Sequence, residues 1–166
     1  MSGGQSGVDR AALDAAMAAG LRVGGWCPVG RRAEDGAIPA QYPLRETPSK
    51  AYRVRTRLNV RDAEATLIVA PLPLVGGTAY TARVAQRLNV PVFHLAINAA
   101  SNPRILNLAP VRAWLTERQV TVLNVAGPRE STVPGIYAVA RVVLARQFEE
   151  QHIGPSPAAL HTRGGV

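Results

Sequence analysis

Apolar and polar positions fall into blocks along this chain. Residues 65–70, ATLIVA, are continuously apolar and are stopped by Pro71 and Pro73, the pattern of a strand covered on both faces. The same pattern recurs at 91–96, PVFHLA, and at 120–126, VTVLNVA. Helical periodicity fills the intervals. From Gly7 the chain sets Leu13, Ala16 and Met17 on one face, with Asp9 near the start and Gly20 where a left-handed cap belongs. Residues 78–88 group Tyr80, Val84 and Leu88 on one face and leave Arg83, Gln86 and Arg87 elsewhere; 109–118 predicts a further helix. The last helix begins after Ser131 and Thr132, takes Pro134 into its first turn and runs to about Gln147, with Ile136, Val139, Val143 and Leu144 inward.

Strands alternating with helices predict the α/β class: a three-layer Rossmann-like fold, its mostly parallel sheet covered by helices on both faces. A single domain accounts for residues 1–150, with no internal repeat, and 151–166 is expected to be a disordered tail because periodicity stops there. Residues 27–61 break the pattern, being rich in Arg and Pro with Gly30 and Gly36 among them. An aperiodic segment of that length inside a compact domain is functional or hides short helices, and 52–59 reads as one.

Composition narrows the class. A chain of 166 residues that is 47% hydrophobic can build a core, which excludes a disulfide-stapled miniprotein and a disordered chain. No apolar run approaches a membrane span, and MSGGQSGVDR lacks the apolar region of a signal peptide, so a soluble cytoplasmic protein is expected. Cys27 has no second cysteine to pair with, and His94, His152 and His161 add no metal-ligand spacing, so no metal site is expected. His94, in an apolar strand, reads as a satisfied core histidine, and Cys27 as a buried structural thiol. No carboxylate pair has a spacing that commits to acid–base catalysis, and no catalytic residue is assigned.

Charge points to an anionic partner. The net charge of +8 comes from 18 Arg and Lys50 against four Asp and seven Glu, and residues 45–62 hold six cations against two carboxylates. Three glycine loops sit where helices begin: SGGQSG at 2–7, VGGT at 75–78 and NVAGPRES at 124–131. Such loops lie at the carboxyl edge of a parallel sheet, where glycine admits close approach and free N–H groups face an anion. One loop alone is better read as a tight turn; three together in one small domain reverse that preference. Gln5, Ser6, Thr78, Asn124, Arg129 and Ser131 supply donors to finish a phosphate or oxyanion site, the bland alternative being helix caps for the hydroxyls and a surface ion pair for Arg129. The segment GRRAEDG at 30–36 supports two readings equally: a phosphate clamp from Arg31 and Arg32 with Glu34 and Asp35 holding a ribose or pterin edge, or a solvated charged turn.

Five ordered segments, SGGQSGVDRAALDAA at 2–16, GGWCPVGRRAEDGAIPAQYPLRET at 24–47, YRVRTRLNVRDAEATLIV at 52–69, GGTAYT at 76–81 and NVAGPRES at 124–131, resemble the molybdenum cofactor carrier family. That family looks like a circularly permuted branch of the Rossmann-like group that includes the lysine-decarboxylase-like phosphoribohydrolases. The resemblance spans about residues 2–148. It implies a homodimer or homotetramer that binds molybdenum cofactor without turnover, shields it and passes it to apo-molybdoenzymes or exchanges it with cofactor-synthesis proteins; the sequence leaves molybdate or a nucleotide open as the natural ligand. It also implies ligand contact at Gly3, Gly4, Gln5, Ser6 and Gly7, at Gly30, Arg31 and Arg32, at Gly76, Gly77 and Thr78, and at Asn124, Gly127, Arg129 and Ser131.

Two departures stand out. A strand is expected before SGGQ, whereas here the sequence opens at Met1 and Ser2, as a truncated or miscalled start or an abbreviated edge strand would. The phosphoribohydrolases carry PGGxGTxxE with a catalytic Glu, whereas VGGTAYT has Thr81 three residues after Thr78, which argues against nucleotide hydrolysis. A nucleoside monophosphate hydrolase is the competing enzyme reading. Nucleic-acid binding ranks last, because only eight aromatic residues occur and none interleaves with the basic run as a stacking motif.

Overall fold

The computed structural model describes residues 1–151, so the expected tail lies outside the described residues except for its first position. Helix α1, Val8–Ala18, ends as its sequence requires: Gly20 adopts φ +71°, its N–H reaches the Met17 carbonyl at 3.0 Å and the Leu21 N–H reaches Ala16 at 2.9 Å. That pair of bonds is a Schellman cap. Short strands β1, Trp26–Cys27, β2, Arg32–Ala33, β3, Gly36–Ala37, and β4, Arg45–Glu46, follow, then α2, Tyr52–Arg61. The remainder alternates regularly: β5, Ala65–Ala70; α3, Gly76–Arg87; β6, Val92–Ala96; α4, Ala109–Glu117; β7, Leu123–Ala126; α5, Ile136–Gln151.

The main sheet is parallel in the order β6-β5-β7, with Leu67 of β5 opposite Phe93 on one side and Val125 on the other. All six residues of β5 are buried, as a continuous apolar run in a central strand must be. Leu67 and Val69 point into a core shared with Val8, Ala11, Ala12 and Ala15 of α1, Val111 and Leu115 of α4, and Ile136, Val143 and Leu144 of α5. The alternate residues of β5 face the other layer, where Val60 of α2 packs with Val84 and Ala85 of α3. Helices therefore cover both faces of the sheet.

Several expectations are corrected at the margins. Among the described residues strand β6 pairs only with β5 and is an edge, so Val92 and Ala96 are exposed and Leu95 alone of its five residues is buried, where 91–96 reads as covered on both faces. Met17 is exposed because α1 buries Val8, Ala11, Ala12 and Ala15 against α5, while Leu13 turns to a different cluster. Leu88 caps α3 rather than packing beneath it and is likewise exposed.

The aperiodic segment is organised by a small core and by one arginine. Cys27, Ile38, Tyr42 and Leu44 pack on Leu13. Arg31 donates through Nε to the Ile38 carbonyl at 2.9 Å and through Nη2 to the Pro39 and Tyr42 carbonyls at 2.8 Å each, with Nη1 3.3 Å from that of Leu44. Its planar fork thus spans four loop carbonyls that no strand partner satisfies. Asp14 fastens this segment and α5 to α1 by accepting from the Tyr42 hydroxyl at 2.7 Å and the Tyr137 hydroxyl at 2.8 Å. Burial and the bond to Asp14 push the Tyr42 hydroxyl up to about 12.

At the start of the chain, the Met1 ammonium donates to the Leu123 carbonyl at 2.5 Å, the Val125 N–H to Met1 at 2.9 Å and the Ser2 N–H to Gly24 at 3.0 Å. Two residues thus occupy, between β7 and the approach to β1, the place where a strand is expected. Their bonds position the first glycine loop at the sheet's carboxyl edge.

Candidate functional site

Above the carboxyl ends of β5 and β7 lies a cavity of about 430 Å³. Its walls are built from all three glycine loops: Gly3 and Gln5 from the first, Gly76, Gly77 and Thr78 from the second, and Asn124, Gly127 and Arg129 from the third. The N-terminus of α3 carries no side-chain cap, so the first amides of this helix of 12 residues point into the cavity without a competing protein acceptor. Thr78 is the third residue of α3, within its first turn, and is no cap. Thr81, in the place of the hydrolases' glutamate, is buried and spends its hydroxyl on the Gly77 carbonyl at 3.0 Å.

The fourth wall is α2. Tyr52, Arg55, Thr56 and Asn59 follow the i, i+3, i+4, i+7 spacing of one helical face, and all four line the cavity with Arg53 beside them. These residues belong to the most basic stretch of the chain but carry no glycine signature, so no sequence motif marks them as part of a site. Asn59 fixes the helix by accepting from the Trp26 N–H at 2.8 Å and donating to the Trp26 carbonyl at 3.0 Å. Arg55 Nη1 donates to Asp9 Oδ2 at 2.7 Å, with the two side chains 14% and 5% exposed, and its guanidinium lies where a Cβ on Gly3 would stand. Among the lining residues Arg53, Arg55, Arg83 and Arg129 face the single carboxylate of Asp9, so the cleft is cationic.

Other candidate residues fall elsewhere. Gly4 lies against Ile38 and Leu44, and Gly7 begins α1 against Pro128, whose carbonyl takes the Val8 N–H at 3.2 Å. Gly30, Arg31 and Arg32 are not in the cavity wall; the Gly30 N–H serves Glu46 at 2.5 Å and Arg31 holds its own loop. Ser6 and Ser131 face a neighbouring open depression and both donate their hydroxyls to Glu34, which sits at the β2–β3 turn. The Ser131 N–H adds a bond to the same carboxylate at 3.1 Å and Arg129 approaches it at 3.7 Å. Burial raises the Glu34 carboxyl, but the hydroxyls of Ser131 and Ser6, the Ser131 N–H and the Arg129 charge outweigh it and hold the group below its ordinary value. Neither serine caps a helix: α1 has no side-chain cap, and Glu130 caps α5 by accepting from Gly135 at 2.5 Å and Tyr137 at 3.0 Å.

The remaining reactive side chains are structural. His94 Nε2 is 2.9 Å from the Ala70 carbonyl, and Cys27 is fully buried, its thiol pushed up by that burial. Among the described residues no group of three or more His, Cys, Asp or Glu could hold a metal ion, and no helix is long and apolar enough to cross a membrane.

Parallel strands flanked by helices, with glycine loops gathered around one cleft at the carboxyl edge, define a Rossmann-like α/β protein. The chain belongs to the circularly permuted YpsA SLOG family, whose model matches residues 1–148. Among solved structures it is similar to a protein from Syntrophus aciditrophicus SB described as a "putative molybdenum carrier protein". The two share 39% identity over 86% of this chain and 89% of that one, with a TM-score of 0.76. No curated protein matches the chain significantly.

Proposed function

We propose that this protein binds molybdenum cofactor in the cationic cleft without turning it over, shields it, and releases it to apo-molybdoenzymes. The observation that carries the reading is the convergence of three glycine loops and the arginine face of α2 on one cavity. Such a cleft offers hydrogen-bond donors and positive charge, which suit a phosphate and oxo groups; it offers no thiolate or imidazole cluster, which those groups do not need. The likeness to a protein described as a molybdenum carrier supports a molybdenum-related cargo. Its volume lies in the range of roughly 300–1,000 Å³ typical of small-molecule sites. In this reading the uncapped amides of α3 and Thr78 hold the phosphate end, and Arg129, Arg53 and Arg55 balance the ligand's charge.

A titration of the purified protein with intact cofactor and, separately, with AMP at fixed salt tests this. A ligand that binds only the folded state stabilises it by about 2.7 kcal/mol at a hundredfold excess over Kd. Saturable stabilisation by the cofactor with no adenine released from AMP is the expected result. Release of adenine would make the protein a hydrolase, and no response to the cofactor would overturn the proposal.

A further inference from the structure

The cleft holds one feature that an oxyanion cannot use. Asp9, 4% exposed, lies in its wall among the arginines. Its Oδ2 accepts from Arg55, but Oδ1 accepts no hydrogen bond among the described residues and is not one of the polar atoms sealed from solvent. Asn124, 2% exposed, repeats the arrangement: Nδ2 reaches Thr66 Oγ1 at 3.3 Å, while its carbonyl oxygen has no partner among the described residues and is likewise not sealed. Two buried side chains therefore present open acceptors to a cavity whose other charged side chains are all arginines.

A phosphate dianion, molybdate or any other bare oxyanion brings only acceptors, and beside Asp9 it adds like charge. A ligand that displaces the water from these acceptors without supplying a donor leaves them unsatisfied at a cost in free energy, whereas a ligand N–H replaces the lost bond. If Asp9 served only to hold Arg55, Oδ2 would be explained and the open Oδ1 would not. We infer that Asp9, with the help of Asn124, is the specificity-determining residue of the cleft: it selects the ligand's heterocycle by reading an edge rich in N–H donors, of the 2-amino-4-oxopyrimidine kind, apart from the anionic group. Adjacent ring N–H and amino groups on such an edge match the lone pairs of a carboxylate, whereas adenine sets a ring acceptor beside its amino group. Pterins and guanine share this chemistry. The inference rests on the cleft being the ligand site, and it names the part of the ligand that is recognised there.

The test is calorimetric titration of the wild-type protein with GMP, AMP, pterin-6-carboxylate and inorganic phosphate at one salt concentration. GMP is expected to bind at least tenfold tighter than AMP, and pterin-6-carboxylate at least tenfold tighter than phosphate; the stronger of the two favoured probes identifies the source of the edge. Asp9→Asn should bring GMP down to the level of AMP while phosphate affinity does not fall. Because that variant leaves Arg55 buried without its carboxylate, the double variant Asp9→Asn, Arg55→Met, which removes both charges, is read for the GMP-to-AMP ratio if the single one fails to fold. Equal affinity for GMP and AMP, with cofactor binding retained, would overturn this inference and leave the carrier reading standing. Parallel loss of GMP and phosphate in Asp9→Asn would reduce Asp9 to a positioning residue for Arg55. Failure of every probe and of the cofactor would overturn both.

Discussion

Glycines in the three loops separate into those the fold needs and those it does not, and alanine substitution should reveal which is which. Gly127 crosses over the central strand: a Cβ there would stand 2.7 Å from Val8 Cβ and closer still to the Val69 carbonyl. Val8 and Val69 are both fully buried, and the nearer obstacle is backbone of β5, so neither can give way. Overpacking of this kind costs roughly 1–3 kcal/mol or more, and the rigidity of both neighbours places Gly127→Ala at about 3 kcal/mol. For a domain of this size that is a fall in Tm of about 6–12 °C. Gly77 is the opposite case: a Cβ would meet nothing within 4 Å, and the residue sits in the first turn of α3 without positive φ. Gly77→Ala should leave stability unchanged or raise it by up to about 1 kcal/mol, from helix propensity. Only a ligand gives that position a reason to lack a side chain, so the same variant should bind cofactor at least tenfold more weakly. Urea unfolding followed by circular dichroism measures the first effect and cofactor titration the second. Gly127→Ala as stable as wild type, or Gly77→Ala with full affinity, would refute the assignment.

Three further outcomes follow from the same geometry. Arg129→Ala should weaken cofactor binding by about 1.5–3 kcal/mol, the worth of a charge-assisted contact, in the same titration; unchanged affinity removes Arg129 from the site. Arg31→Lys should cost at least about 2 kcal/mol of stability in urea, because an ammonium cannot span four carbonyls, while the folded fraction binds cofactor normally; loss of binding at full stability would make Arg31 a ligand contact instead. Glu34 is held below its unfolded value of 4.5, so its contribution is complete above that pH and disappears as pH falls through the lower folded value. The acid limb of the stability curve should therefore flatten in Glu34→Gln, and an unchanged limb would show that the two serines do not hold the carboxylate.

Much of the architecture was legible because local sequence and tertiary environment agree. The apolar run at 65–70 is a strand with both faces covered, and the glycine at 20 ends α1 with the bonds its left-handed φ permits. Strand β6 reads the same as β5 in sequence yet is an edge, because periodicity records how apolar a segment is and not how many neighbours it receives. Arg31 and Arg55 expose the same limit for charge. Both are arginines in the Arg- and Pro-rich segment 27–61, but one is spent on loop carbonyls and the other faces the cleft, a difference set by partners seven to 46 residues away.

The amino-acid sequence by itself determined the α/β class, the order of helices and strands from α2 onward, the family resemblance, and the presence of three loops whose glycines and donors suit an anion. These are properties of short segments, readable from spacing and side-chain chemistry. Tertiary structure alone decided that the loops share one cavity, that α2 closes it, that Glu34 rather than an arginine of its hairpin reaches Ser6 and Ser131, and that a carboxylate, Asp9, stands among the arginines. Those facts depend on contacts between residues distant in the chain, and the free energy of such a contact exists only once packing has brought its partners together.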